Sequence, residues 1–305
     1  MERNVNEDYL EELRNKAKIK TYIVYILSII SIPIYIWLFY IALKNTEDMY
    51  WFFIVKICLA AFALSILTLG LLWYLIVRSS YNKFNKSYKE KYVVKTISNI
   101  PGFDKLEYIQ KDGFQWDEIR NSAVVACGDE RHFKSEDLLL GQYKGATFKI
   151  SDVITQKVVV RDRKSKIEEI FNGQIICFFQ FDNIKISNGH LQIFEKNFFS
   201  DLRGWKAEHR IYTENEEFNK RFNIYASDEH NAYYILTPER IQKIMDFSYS
   251  IKEQISLVFY NNKLFIAVKR PSMFDVVVDE SVLNQRTNII EDIKIIQKAR
   301  EMLII

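Results

Sequence analysis

Hydrophobic and polar positions divide this chain into two regimes. Residues 21–43 contain no charged side chain, and residues 51–77 form a second apolar run interrupted only by Lys56. Each run matches the length an α-helix needs to cross a hydrocarbon core of about 30 Å. Residues 21–43 and 51–77 are therefore expected to form a transmembrane helical hairpin, joined by a short extracytoplasmic loop at 44–50. Lys56 stands near the start of its run, where the long stem can carry the ammonium back to the interface. Tyr22, Trp37, Tyr40, Tyr50, Trp51 and Trp73 supply aromatic rings of the kind that anchor helices at headgroup level.

Beyond the second run the pattern becomes amphipathic. Tyr81, Phe84, Tyr88 and Tyr92 recur at three- and four-residue steps with lysines between them, which predicts a helical stalk over 78–100. Pro101-Gly102 ends it. On the N-terminal side, residues 1–20 carry a shorter stripe of Leu10, Leu13 and Ala17, suited to pack beside the stalk.

Residues 101–305 read as one α+β domain of antiparallel β hairpins with segregated helices. Residues 104–134 are mixed and weakly helical in pattern. Residues 143–150 and 154–160 have β character, followed by a polar turn at 162–166 and a long run from Ile167 to Phe181. Asn172-Gly173 inside that run predicts a glycine bulge rather than a turn. Asn261-Asn262 predicts a two-residue type I′ turn, because asparagine tolerates positive φ. That register sets Phe259 against Leu264, Leu257 against Ile266 and Ile255 against Val268, all on one buried face, with the opposite face only partly covered. Thr237-Pro238-Glu239 is a helix start, with a hydroxyl N-cap, proline in the first turn and a favourable acid. Ile241, Ile244, Met245 and Ser248 form the buried stripe of that helix. A last helix from about Gln285 buries Ile289, Ile293, Ile296 and Ala299.

Charge then sets orientation. Arg3, Arg14, Lys16, Lys18 and Lys20 precede the first run, and Arg78, Lys83, Lys86, Lys89, Lys91 and Lys95 follow the second, whereas the loop offers only Lys44. The positive-inside rule puts both termini in the cytoplasm of a multi-pass inner or plasma membrane protein. Lys83, Lys86, Lys89, Lys91 and Lys95 are expected to meet anionic lipid headgroups, at about 1 kcal/mol per basic residue near the surface. A net charge of +3 gives no basis for a nucleic-acid partner. Three unpaired cysteines fit a reducing compartment, and no cleavage site marks a removable signal peptide.

Candidate chemistry is sparse. Nine glycines include no GxGxxG or P-loop, so no nucleotide cradle is expected. His132, His190, His209 and His230 lack metal-ligand spacing, and Cys127, Asp129 and His132 lack a second ligand pair. No metal or cofactor is expected. The densest polar cluster is Glu214 and Glu217 with Asp228 and His230, which would need to converge on a pocket to do acid-base work. The structural alternative makes Asp228 the cap of a short helix running through Ala232 and Ile235.

Several stretches resemble the bacterial DUF3137 family of membrane-anchored proteins. They are Glu136-Asp-Leu-Leu-Leu-Gly141, Ile170-Phe-Asn-Gly173, and Glu214-Asn-Glu-Glu-Phe-Asn-Lys-Arg-Phe-Asn-Ile-Tyr-Ala-Ser-Asp228 running into Tyr234-Ile-Leu-Thr-Pro238. The resemblance implies an architecture of paired N-terminal spans and a soluble domain, and brings no activity or catalytic residue with it. Two functions follow as expectations. One is a non-enzymatic binding or scaffold module at the cytoplasmic membrane face, with the bilayer and possible protein partners. The alternative is a membrane-tethered hydrolase built on Asp228 and His230.

Overall fold

The computed structural model describes residues 2–44, 51–161, 164–179, 189–198, 206–207 and 209–302. The chain divides into two compact units, one of Met1–Tyr92 with Val276–Arg286, the other of Val93–Asp275 with Thr287–Ile305.

The first unit is helical. Helix α1 (Glu2–Lys44) runs on through Pro33, and α2 (Trp51–Leu72) leads through a π-helical turn (Trp73–Val77) into α3 (Arg78–Ser87) and a second π turn (Tyr88–Val93). Helix α1 packs against α2 and α3. Leu10, Arg14 and Ala17 share its buried face, as their i, i+4, i+7 spacing requires. Lys20 donates to Ser80 Oγ at 2.7 Å, and the Tyr92 hydroxyl donates to Glu7 at 2.9 Å. The returning segment Val276–Arg286 is held to α1 by Arg14 donating to the Val278 carbonyl at 2.8 Å and by Glu11 accepting from the Val282 amide at 3.0 Å.

Among the described residues no helix is long and apolar enough to cross a membrane. The expected spans at 21–43 and 51–77 are thus not established by the described residues. Residues 45–50 of the expected loop lie outside the described residues. The described part of both helices nevertheless exposes large apolar side chains, among them Ile26, Ile29, Ile36, Leu59, Leu67 and Leu71.

The second unit opens with α4 (Val94–Ser98) and, among the described residues, is built on one antiparallel sheet of nine strands. They are β1 (Phe103–Ile109), β2 (Lys134–Tyr143), β3 (Ala146–Arg161), β4 (Lys164–Phe179), β5 (His190–Glu195), β6 (His209–Arg210), β7 (Phe222–Ala226), β8 (Ile255–Tyr260) and β9 (Lys263–Val268). Their order across the sheet is β1-β2-β3-β4-β9-β8-β5-β7-β6. The helices are α5 (Trp116–Ser122), α6 (Glu216–Arg221), α7 (Glu229–Ile235), α8 (Pro238–Ser250) and α9 (Val282–Glu301). This is the expected α+β class.

The β8–β9 hairpin has the expected register, pairing Phe259 with Leu264, Leu257 with Ile266 and Ile255 with Val268. Asn261 and Asn262 both take positive φ, 51° and 55°. Three expectations need correction. Residues 143–150 are not one strand: Lys144 and Gly145, with φ 45° and 80°, turn the chain between β2 and β3. Residues 104–134 hold a strand, a short helix and a buried irregular segment. In β4 the register slips between the Thr155–Phe171 and Gln156–Glu169 pairs, so Ile170 is the extra residue and Gly173 sits in regular pairing.

The sheet is buried on both faces, which overturns the partly covered face expected behind β8. One face carries Ile150, Ile176, Leu257, Ile266 and Ile193, the other Val153, Ile175, Cys177, Val258 and Phe265. The second face is covered by Phe114, Ile119, Val124, Val125 and Cys127 from the segment around α5. Irregular backbone in a core needs hydrogen-bond partners, and four carbonyls of this segment find side chains from three strands. Asn121 meets His190 Nε2 at 2.6 Å, Ala123 accepts from Gln192 at 3.0 Å, Val124 from Ser256 at 2.8 Å and Ala126 from Thr155 at 2.8 Å.

Candidate functional site

The stretch from Tyr212 to Ile241 folds into a wall and floor around an open groove. Asn215 caps α6, its Oδ1 accepting from the Phe218 amide at 2.9 Å, and Phe218 is fully buried below. One turn later Asn219 reaches back, donating to the Thr213 carbonyl at 2.6 Å and accepting from the Thr213 amide at 3.0 Å. These two asparagines hold the turn at 212–215 upright. Thr237 caps α8 by accepting from the Arg240 amide at 3.3 Å, with Pro238 in the first turn as the sequence predicts.

Between these elements lies a groove of about 750 Å³, lined by Tyr212, Thr213, Glu214, Asn215, Tyr233, Leu236, Pro238 and Ile241. Its rim is aromatic: Tyr212 is 61% exposed and Tyr233 52%. The Tyr233 hydroxyl donates to the Tyr212 carbonyl at 3.3 Å, tying the two rims together. Leu236, Pro238 and Ile241 give it an apolar side, and among the described residues Glu214 is the one charged side chain in the lining.

The polar cluster expected from sequence divides here. Glu214 lines the groove, whereas Glu217, Asp228 and His230 do not. Glu217 accepts from the Tyr249 hydroxyl, which raises the pKa of that tyrosine. Asp228 is the N-cap of α7, with Oδ1 accepting from the His230 amide at 2.8 Å and Oδ2 from the Asn231 side chain at 2.9 Å. His230 joins through its backbone, and its side chain is exposed. The geometry needed for an acid-base pair is therefore replaced by the geometry of a cap.

The rest of the 214–228 stretch is structural in the same sense. Arg221 donates to Glu195 at 2.8 Å and to Ser248 Oγ at 2.6 Å, and Ser248 in turn donates to Glu195 at 2.6 Å. Phe222, Ile224 and Ala226 are buried in β7. Ser227 accepts from the His190 amide at 3.1 Å.

Of the lysines between Lys83 and Lys95, Lys83, Lys86 and Lys91 are exposed and Lys95 is partly so. Lys89 is 5% exposed and does not belong to the basic surface expected from sequence. Among the described residues no group of His, Cys, Asp and Glu is arranged to hold a metal ion. Cys127 and Cys177 are free and buried, and burial pushes both thiols up to about 12, so neither is a ready nucleophile.

Sequence reasoning missed two features. Tyr212 and Tyr233 gave no signal, since isolated tyrosines in turns are common. The other is the buried Asp137 of β2, with the half-buried Asp152 on the neighbouring β3. The signal for Asp152 was present: it falls in phase with Phe148 and Ile150, where the two-residue alternation calls for an apolar side chain.

A family model described as "Protein of unknown function (DUF3137)" matches residues 169–303. The match takes in Ile170-Phe-Asn-Gly173 and the 214–238 stretch, while Glu136-Asp-Leu-Leu-Leu-Gly141 lies before it. No curated protein and no solved structure matches the chain.

Proposed function

Taking as premise that the chain belongs to the DUF3137 family over residues 169–303, we propose that it is a membrane-anchored module whose α+β domain binds a protein partner at the cytoplasmic face without catalysing a reaction. The groove between Tyr212 and Tyr233 carries this reading. Exposed tyrosine rings beside an apolar wall are the composition of recognition surfaces, where one large rigid side chain supplies contact area at small entropic cost. Among the described residues the lining has one carboxylate and no basic side chain. That chemistry suits a partner segment with a lysine or arginine, whose stem lies on Pro238 and Ile241 while its charge meets Glu214 and the tyrosine faces.

The anchor reading rests on residues 21–43 and 51–77 and on the apolar side chains exposed along α1 and α2. Exposed apolar bands of this extent call for a lipid or protein cover, and uncharged runs of this length favour lipid. The basic flanks support cytoplasmic termini, and Lys83, Lys86 and Lys91 supply charge for anionic headgroups.

The test places a photo-crosslinking phenylalanine analogue at Tyr233 in the full chain within cells. A discrete protein adduct is expected, absent from a probe at exposed Val160 and diminished by Glu214→Lys. Identical patterns at both positions would overturn the groove assignment. Carbonate extraction tests the anchor separately: the chain should stay with the membrane pellet, and its release would remove the spans.

A further inference from the structure

The β3–β4 hairpin is longer than the sheet that carries it. Pairing of β2 with β3 ends at Lys134 and Ile154, and β9 joins β4 only from Gln174 onwards. The two strands nevertheless stay paired out to Arg161 and Lys164, an arm of about 20 Å beyond Thr155. Past Gln156, where Gly128 makes a single bridge, no third strand pairs with the arm among the described residues. Its base is tied down by Asp129, whose amide donates to the Gln156 carbonyl at 2.9 Å and whose Oδ2 accepts from the Val158 amide at 2.7 Å.

Alternation sorts the side chains of the arm onto two faces. Val158 stands opposite Ile167 in register and shares a face with Val160. These three are 42%, 50% and 69% exposed. The other face carries Val159 with Arg161, Lys164 and Lys166, and all three basic side chains are exposed. The acids of the two strands lie nearer the sheet. Glu168 is opposite Lys157, and Glu169, opposite Gln156, accepts from Asn172 at 3.2 Å. Charge therefore runs from balanced at the base to basic at the far end, where residues 161–166 hold four basic side chains and one acid.

We propose that this arm lays its Val158, Val160 and Ile167 face on an anionic bilayer, an inference independent of the tyrosine groove and of the expected spans. A two-stranded ribbon is marginally stable in water by itself, and this one leaves three branched apolar side chains uncovered on one side. Apolar side chains on one face and basic ones on the other are the partition of segments that lie in the headgroup region. The apolar side enters the acyl boundary, and the long stems of Arg161, Lys164 and Lys166 carry their charges to the phosphates. A headgroup layer can surround a ribbon and so meets both faces at once, whereas a rigid protein surface touches one. A second copy of the chain is disfavoured, because the basic ends would repel and lysines on an unpaired edge strand oppose strand addition.

The experiment uses the full chain in phosphatidylcholine nanodiscs, with an environment-sensitive fluorescent amino acid in place of Val160. Vesicles of phosphatidylcholine, alone or with phosphatidylglycerol, are added, and a parallel preparation carries phosphatidylglycerol in the disc itself. A blue shift of the probe is expected with anionic lipid in disc or vesicle, none with neutral lipid, and its loss in high salt. Lys83, Lys86 and Lys91 also attract anionic lipid, so the shift at 160, and not co-flotation, decides. Lys164→Gln with Lys166→Gln should raise the lipid concentration needed about thirtyfold, while Lys164→Arg with Lys166→Arg should keep the response. The same probe at exposed Lys220 should not move. A chain that stays out of the discs sinks the anchor alone, and the vesicles are then added to the free chain. No shift with anionic lipid in either place, an equal shift with neutral lipid or an equal shift at Lys220 overturns the inference. So does a discrete protein adduct from a photo-crosslinker at Val160 in cells, which would assign the face to a protein.

Discussion

A Cβ built on Gly173 would stand 2.2 Å from the carbonyl oxygen of Val268 on the neighbouring strand. The two strands meet here with no room for a side chain, and Phe171 closes the site at 2.8 Å. Gly173→Ala is expected to destabilise the sheet unit by about 1–3 kcal/mol, the range for overpacking a core. Urea unfolding should show a lower midpoint with an unchanged slope. An unshifted midpoint would mean that β4 and β9 can separate at this point without loss.

Leu257 and Ile266 face each other on one side of the β8–β9 hairpin, and Val258 points to the other side, where it is 0% exposed. Leu257→Ala and Ile266→Ala should each cost roughly 2–5 kcal/mol. Val258→Ala should also be costly, at roughly 1.5–3 kcal/mol for two lost methyl groups and the cavity they leave. A negligible loss at Val258 would mean that the segment around α5 does not seal that face.

Asp228 and His230 separate a binding module from an enzyme. Asp228→Asn keeps an oxygen for the α7 amides and should be mild, while Asp228→Ala should cost roughly 0.5–2 kcal/mol. His230→Gln should leave folding unchanged. Asparagine cannot take up a proton as a carboxylate does, and glutamine does not titrate near neutrality. Both conservative variants are expected to complement a deletion strain. Two well-folded variants that fail to complement would establish acid-base chemistry at this pair.

His190 stacks on Tyr260 with ring centroids 4.1 Å apart and meets the Asn121 carbonyl at 2.6 Å. Burial lowers its pKa below the ordinary histidine value. The folded state therefore prefers the neutral ring, and this contribution is full above the unfolded pKa near 6.5 and fades as pH falls below it. The stability difference between the wild type and His190→Gln should be larger at pH 7.5 than at pH 5.5. A gap that widens in acid would reverse the sign and implicate a protonated imidazole.

Local chemistry was legible where one residue type has one geometric use. Asn261-Asn262, Thr237-Pro238 and the stripes of α8 and α9 all act as their spacing predicts. Lys144-Gly145 was not legible, because a single Lys-Gly step between Tyr143 and the β-rich stretch from Ala146 to Ile150 carries none of the Asn, Asp or Pro residues that mark a turn. Phe84, Tyr88 and Tyr92 are spaced for an α-helix, yet Tyr88–Val93 winds as a π turn. Lys89 lies in that turn and is buried, which a purely α-helical reading of the lysines did not foresee. The candidate site was legible only in Glu214. Its tyrosine rim depends on how the turn at 212–215, α7 and α8 meet, and no periodicity in a single stretch encodes that meeting.

The carbonyls of Asn121, Ala123, Val124 and Ala126 are received by side chains of β3, β5 and β8, and β4 and β9 stand between β3 and the adjacent pair β8 and β5 in the sheet. Those receivers stand in place only after hairpins far apart in sequence have come together. The segment is therefore expected to lock late in folding, with its bonds formed after the transition state. Thr155→Val and Ser256→Ala should accelerate unfolding while leaving the refolding rate nearly unchanged. The time the folded state survives is thus governed by a stretch without regular secondary structure, while the speed of reaching it is set by the strands beneath.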